Sequence, residues 1–203
     1  YDLDIDGPEV QATFRAMIDN NVPMTSTLAV YEMSVPGRPP IDQRSLDVLA
    51  PEVAEDVLAE NQRYTERDPG DYGTSPAVFK KAMEYELAFF RAGGTLGAGV
   101  DPTGYGAALP GFGDQRNYEL LIEAGFEPGE AIQVMSANGA KILGMDDRIG
   151  TIEVGKIADL AVIEADLAAN PANIKKIGTV FKNGVGFDSA KLIASIAGYV
   201  GVR

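Results

Sequence analysis

Residues 75–101 read SPAVFKKAMEYELAFFRAGGTLGAGVD, and the hydrophobic pattern changes once within them. Ser75 offers a side-chain oxygen for an N-cap, and Pro76 brings a backbone angle already suited to the first helical turn. Phe79, Met83, Leu87 and Phe90 then recur at helical spacing. Gly93-Gly94 stops the helix. Thr95–Val100 follows as a short strand of small residues, and it ends at Asp101. A helix followed by a strand is half of an α/β repeat. The same order occurs upstream. Over residues 7–20 the spacing predicts a helix with Asp6 as N-cap, Pro8 near its first position, and Val10, Phe14, Met17 and Ile18 on one face. Asn20-Asn21 ends it, and Val22–Tyr31 (VPMTSTLAVY) is a β-rich run. The fold class is therefore α/β.

Between and beyond these repeats the chain alternates loops and helices. Pro36–Pro40 (PGRPP) cannot be helical. Residues 45–67 predict one helix broken and restarted at Pro51, and Asp68–Gly73 (DPGDYG) is turn-rich. Residues 102–113, PTGYGAALPGFG, hold too much Gly and Pro for regular structure. Helices are expected over 114–124 and 128–143, with Gly125 and Gly144 as stops. From Ile149 the pattern turns β-like. Ile152, Val154, Leu160, Val162, Ile163, Ile177, Val180 and Phe181 fall in short runs punctuated by Gly150, Gly155 and Asn183-Gly184. A connector passes through Asn170-Pro171, and 189–199 predicts a terminal helix. We divide the chain into 1–147, 148–188 and 189–203.

The composition excludes several chemistries. The 203 residues carry 17 Lys and Arg against 30 Asp and Glu, with no His, Cys or Trp. Without His or Cys the chain holds no N/S zinc site, no thiol nucleophile and no Ser-His-Asp triad of its own. A net charge of −13 argues against a nucleic-acid surface, which needs clustered cations. No apolar run approaches the roughly 18 residues of a membrane span. The absence of disulfides leaves the compartment open, with the cytoplasm as our expectation. The length falls short of the roughly 250 residues of a complete (β/α)8 barrel. Because the chain opens with Tyr1, we expect a processed protein or a piece of a longer one.

Asp101 is the most suggestive position: a lone carboxylate where a small-residue strand meets a Gly-rich loop. Ligands of parallel α/β proteins bind at the carboxyl ends of strands. The plainer reading is an aspartate capping a turn with Pro102. Tyr105 and Phe112 lie in the following loop, where aromatics line a pocket or pack down as anchors. Arg116 could bind a substrate carboxylate with both arms of its fork, or sit on the surface of a first helical turn. Lys156 and Asp159 read as a solvated turn charge and a local turn acceptor. The glycines at 93, 94, 97 and 99 do not make a phosphate loop, because the order is helix, glycines, strand.

Three stretches together resemble the C-terminal portion of the metal-dependent amidohydrolase superfamily, and its imidazolonepropionase-like and prolidase-like members above all. Gly99-Val100-Asp101 resembles the G-T-D that ends the eighth barrel strand. ELLIEAG at 119–125, Glu130-Ala131 and ANGAKILG at 137–144 resemble the helical pair after it. GTIEVGKIADL at 150–160 resembles the G-x-I-x-x-G-K-x-A-D-L hairpin of the small β-sandwich domain, and this is the most specific of the three. Residues 25–28 (TSTL) resemble the P-T-L of the seventh strand, with Ser26 in place of Pro. The resemblance spans residues 7–187.

It implies the C-terminal part of a (β/α)8 barrel plus a β-sandwich segment. It also implies hydrolysis of an amide or other C–N bond by a metal-activated water. Asp101 would be both a metal ligand and the acid-base that moves the water's proton. Tyr105 and Arg116, read from their own positions, are the candidate substrate contacts. The implied metal is one or two divalent ions, zinc first among them, with most ligands outside this chain. The family's other ligands are histidines and a carboxylated lysine on earlier strands, and histidines cannot exist here. Gln115 stands where related sequences often carry His, and Asn117 where they often carry Glu. The expected partners are the N-terminal half of the barrel, on the same or another chain, a small-molecule substrate, and a second copy in a homo-oligomer. Nucleic acid and membrane are not expected. Two rival readings remain. One is a non-catalytic truncated or binding module that keeps the fold, and the other a carbohydrate- or nucleotide-binding α/β protein.

Overall fold

The computed structural model describes residues 4–66 and 75–201, so the turn expected at Asp68–Gly73 lies outside them. Helix α1 (Pro8–Asp19) starts one residue later than expected, capped by Gly7, and buries Val10 and Phe14. It delivers strand β1 (Met24–Ser26), which pairs in parallel with β2 (Leu96–Ala98). The run expected as strand over 22–31 ends after three paired residues. Leu28–Glu32 instead forms helix α2, with Leu28 and Ala29 buried. The backbone can turn there because the Ala29 N–H donates to Asn117 Oδ1 at 3.1 Å, so a donor at the helix start is not left bare.

Helices α3 (Gln43–Val48) and α4 (Pro51–Thr65) meet at the break expected before Pro51. Helix α5 (Pro76–Arg91) has the expected Ser75 cap, its side chain accepting from the Val78 N–H. Helix α6 (Phe112–Ala124) ends at Gly125, whose φ of 105° suits only glycine. The single helix expected over 128–143 is two, α7 (Pro128–Met135) and α8 (Ala137–Ile142). Ser136 leaves helical geometry and its hydroxyl donates to the Gly150 carbonyl at 2.9 Å. The break turns α8 onto β2, where Asn138 Nδ2 donates to the Leu96 carbonyl at 2.8 Å.

Helix α6 joins two apolar clusters. Tyr118 and Leu121 pack with Phe14, Phe89, Leu96 and Val134, while Leu120 packs with Leu28, Val35, Phe79 and Met83. The C-terminal segment is a three-stranded antiparallel sheet, β3 (Leu160–Ile163), β4 (Ile177–Lys182) and β5 (Val185–Asp188), in that order. Asn183 and Gly184, both at positive φ, make the expected two-residue turn. A 3-10 turn at Pro171–Lys175 buries Ile174 against the first cluster. Ile152 and Val154 lie outside any strand and are 87% and 108% exposed, contrary to the β reading of that hairpin. The expected sandwich is one sheet, with no second sheet facing it among the described residues. Helix α9 (Ser189–Ser195) packs beside β4 and β5, and residues 198–200 return to the α3–α4 junction, where the Ala50 N–H donates to the Val200 carbonyl at 2.9 Å.

Candidate functional site

Strands β1 and β2 run parallel, so the segments leaving their carboxyl ends, residues 27–42 and 99–111, gather on one side. Asp101 is exposed there, three residues beyond β2, with φ of 45°. That left-handed conformation is uncommon outside glycine, although aspartate tolerates it. The turn at Asp101 is closed by its main chain: its carbonyl accepts from the Thr103 N–H at 2.6 Å. Its carboxylate makes no hydrogen bond or ion pair among the described residues, so it does not act as the side-chain cap of this turn.

Beside this loop lies a cavity of about 380 Å³. The segment after β1 and helix α6 form most of its wall, with Ala107 and Ala108 of the loop after β2 closing one side. Its charged residues interlock. Glu32, buried, accepts from Arg38 Nε at 2.7 Å and from Arg116 Nε and Nη2 at 2.7 and 2.8 Å. Arg116 also reaches Glu119 at 2.6 Å, and Lys175 of the 3-10 turn approaches Glu119 at 3.0 Å and Asp42 at 3.6 Å. Asp42 caps α3 and holds Arg44, and the hydrogen bond from Arg44 lowers the Asp42 pKa. The fork of Arg38 grips Glu123 at 2.7 and 2.6 Å, which lowers the Glu123 pKa.

The structure thus places the three sequence candidates differently. Arg116 lines the cavity, with its fork engaged by Glu32 and Glu119. The Tyr105 hydroxyl donates to the Met33 carbonyl and accepts from Asn61 Nδ2, both at 2.8 Å, and its ring stacks on Tyr64. Burial raises the Tyr105 pKa. Tyr105 therefore ties the loop after Asp101 to Met33 and Asn61 of the cavity wall. Asp101 is not among the lining residues. Gln115 accepts from Arg44 at 2.9 Å, and buried Asn117 bridges Ser26 and Ala29. Lys156 bonds the Asp146 carbonyl at 2.6 Å and Thr151, while Asp159 accepts from Lys182 and from the Asn183 N–H, holding the β4–β5 turn. Sequence reasoning missed Glu32, Arg44, Glu119 and Lys175. Their only signal was charge, and charged residues are ordinarily solvated. Among the described residues no three Asp, Glu, His or Cys side chains come together as a group that could hold a metal ion.

A model of the amidohydrolase family matches residues 107–185, which include helix α6, the α7–α8 pair and the GTIEVGKIADL stretch. Residues 107–185 are thus similar to part of an amidohydrolase-family domain. The segment begins on the cavity wall and ends at the start of β5. Solved structures extend the likeness of fold to nearly the whole chain. An Xaa-Pro dipeptidase with bound methionine in its active site is similar at a TM-score of 0.57 and 19% identity, over 90% of this chain and 38% of that one. A putative prolidase from Bifidobacterium longum is similar at 0.52 and 22%, over 94% and 43%. Molinate hydrolase is similar at 0.52 and 19%, over 96% and 39%. The chain spans about 38–43% of the length of these three structures. No curated protein matches the sequence.

Proposed function

We propose that the chain is the C-terminal portion of a metal-dependent amidohydrolase that hydrolyses an amide or other C–N bond. In this reading β1 and β2 are the last two barrel strands and residues 148–188 are the β-sandwich segment. One observation carries the assignment of Asp101: an exposed carboxylate with no partner among the described residues, in the left-handed region at the carboxyl end of a parallel pair. Strained backbone at such a place is a pointer to function. No group of three Asp, Glu, His or Cys side chains forms around Asp101 among the described residues, so those residues alone do not fit a metal centre. The remaining ligands would come from residues outside the 203, in the N-terminal part of the barrel.

Within this chain, the chemistry falls to Asp101. Its carboxylate oxygen accepts a proton from the attacking water as the O–C bond forms. It returns that proton to the departing nitrogen as the C–N bond breaks, so it ends as it began. Helices α2 and α6, cross-linked through Asn117 and Glu32, hold the two strand ends in place. The non-catalytic module is the second reading, favoured by the absence of histidine. The test is Asp101→Asn in the longest natural form of the protein, assayed on dipeptides and N-acyl amino acids. We expect kcat to fall by about 10²–10⁴-fold with KM little changed. Wild-type turnover in the variant would overturn the assignment, and a parent without hydrolytic activity or bound metal would favour the module.

A further inference from the structure

The loop leaving β2 carries the residue on which the proposed chemistry rests, and little in its sequence fixes its course. Residues 102–113 read PTGYGAALPGFG, and Gly104, Gly106 and Gly111 all stand at positive φ. Such backbone is soft, because glycine passes between conformations that other residues avoid. The two ends of the loop meet. Gly113 lies against buried Val100, so closely that an added Cβ would clash with the valine Cγ2. The segment is closed on itself in the manner of an Ω-loop, and its middle requires a fixing point of its own.

Tyr105 is that point. Among the described residues, its hydroxyl makes the only hydrogen bonds that run from residues 102–108 to another element: it donates to the Met33 carbonyl after α2 and accepts from Asn61 Nδ2 on α4. Its ring lies 5.2 Å from that of Tyr64 and nearly parallel to it. Burial raises its pKa, which keeps the proton that the bond to Met33 uses. Asp101 has no such anchor. Its φ of 45° is one that a side-chain-bearing residue keeps only where the surroundings impose it. On the upstream side β2 imposes it. Downstream, the first side chain fastened to another element is Tyr105, four residues on.

We propose that Tyr105 is the positioning residue for Asp101: its latch onto Met33 and Asn61 holds the loop in the one course that keeps the Asp101 carboxylate beside the strand ends. The hydroxyl's proton is spent within the protein, so Tyr105 acts through Asp101 and not on the substrate. The consequence for Asp101 rests on the hydrolase reading above; the latch itself does not.

Tyr105→Phe and Asn61→Ala, each made in the longest natural form of the protein, test it. Thermolysin cleavage between Ala108 and Leu109, read by mass, should quicken at least about five-fold in both variants at a parental melting temperature, because a loop opens without global unfolding. On a hydrolysed substrate kcat should fall about ten-fold in each with KM little changed, whereas losing a substrate contact would raise KM. The double variant should be no worse than either single one, and Tyr105→Phe should not lower kcat further in Asp101→Asn, since residues acting as a unit are not additive. Parental cleavage rates in both variants would overturn the latch, whether or not the parent is an enzyme. A large fall in melting temperature would overturn it too, by showing that Tyr105 supports the whole fold. A quickened loop with parental kcat, a rise in KM alone, or a further loss in the Asp101→Asn background would overturn the positioning role. A parent without hydrolytic activity would overturn the hydrolase reading and with it the consequence for Asp101, while the cleavage rates still decide the latch.

Discussion

Glu86 shows what one misplaced charge does in this fold. It is buried on α5 against the back of β1, its Oε2 has no hydrogen-bond partner, and burial pushes its pKa up to about 7, a rise the Ser26 hydroxyl partly offsets. The folded protein therefore keeps this proton up to about pH 7, whereas an unfolded glutamate releases it near pH 4.5. Between those values the folded state binds more protons. This residue's contribution to stability consequently declines as pH rises through that window and stays flat above it. Glu86→Gln should remove the decline and stabilise the protein at pH 8 by up to about 3 kcal/mol. Urea midpoints of parent and variant at pH 5 and pH 8 provide the check; a parallel shift at both would show that Glu86 is not the titrating group. A buried glutamate at this position was invisible to sequence reasoning. Glu86 falls one residue from Leu87 on the predicted apolar face, and periodicity alone reads a charge there as the edge of a solvated face.

At the scale of elements, short strands depend on side chains that complete their hydrogen bonding. β1 and β2 have three residues each, too few to stand alone. Asn117 reaches from α6 to both Ser26 on β1 and Ala29 on α2, and Asn138 reaches from α8 to the Leu96 carbonyl on β2. Asn117→Ala would strand the buried Ala29 N–H and should cost about 1–3 kcal/mol, measurable as a lower urea midpoint with unchanged slope. An unchanged midpoint would mean that water satisfies that donor. Helix ends were the legible part of these elements. Ser75-Pro76, Pro51, Pro128 and Gly125 all mark boundaries where the sequence predicts them, because capping and proline chemistry are local. The Ser136 break and the α2 helix were not legible. Each is set by a partner distant in sequence, Gly150 for the first and Asn117 for the second.

For the whole molecule, the question is what covers its open surfaces. The sheet β3-β4-β5 has no buried residue, and Val162, Val185 and Phe187 are exposed with Leu143, Ile152, Val154 and Tyr199. Among the described residues no strand pairs with β1 on the side away from β2. Exposed apolar faces and open strand edges invite association. The 203-residue chain by itself should therefore self-associate, and addition of the N-terminal portion expected under the amidohydrolase reading should return it to one defined species. Sedimentation velocity distinguishes the cases. A monodisperse monomer of the chain alone at high concentration would contradict it. No helix among the described residues is long and apolar enough to cross a membrane.

The sequence by itself determined the α/β alternation, the Ser75 cap, the Asn183-Gly184 turn and the place of Asp101 just beyond a strand end. These depend on residues within a few positions of one another, where propensity and turn chemistry decide. Only the tertiary structure decided that Glu32, Arg44, Arg116 and Lys175 share one cavity, and that Asp101 stands outside its wall. Glu32 and Arg116 are 84 residues apart, and their pairing at 2.7 Å exists because two parallel strands bring α2 and α6 together. Charge in a sequence carries no partner; the fold supplies it.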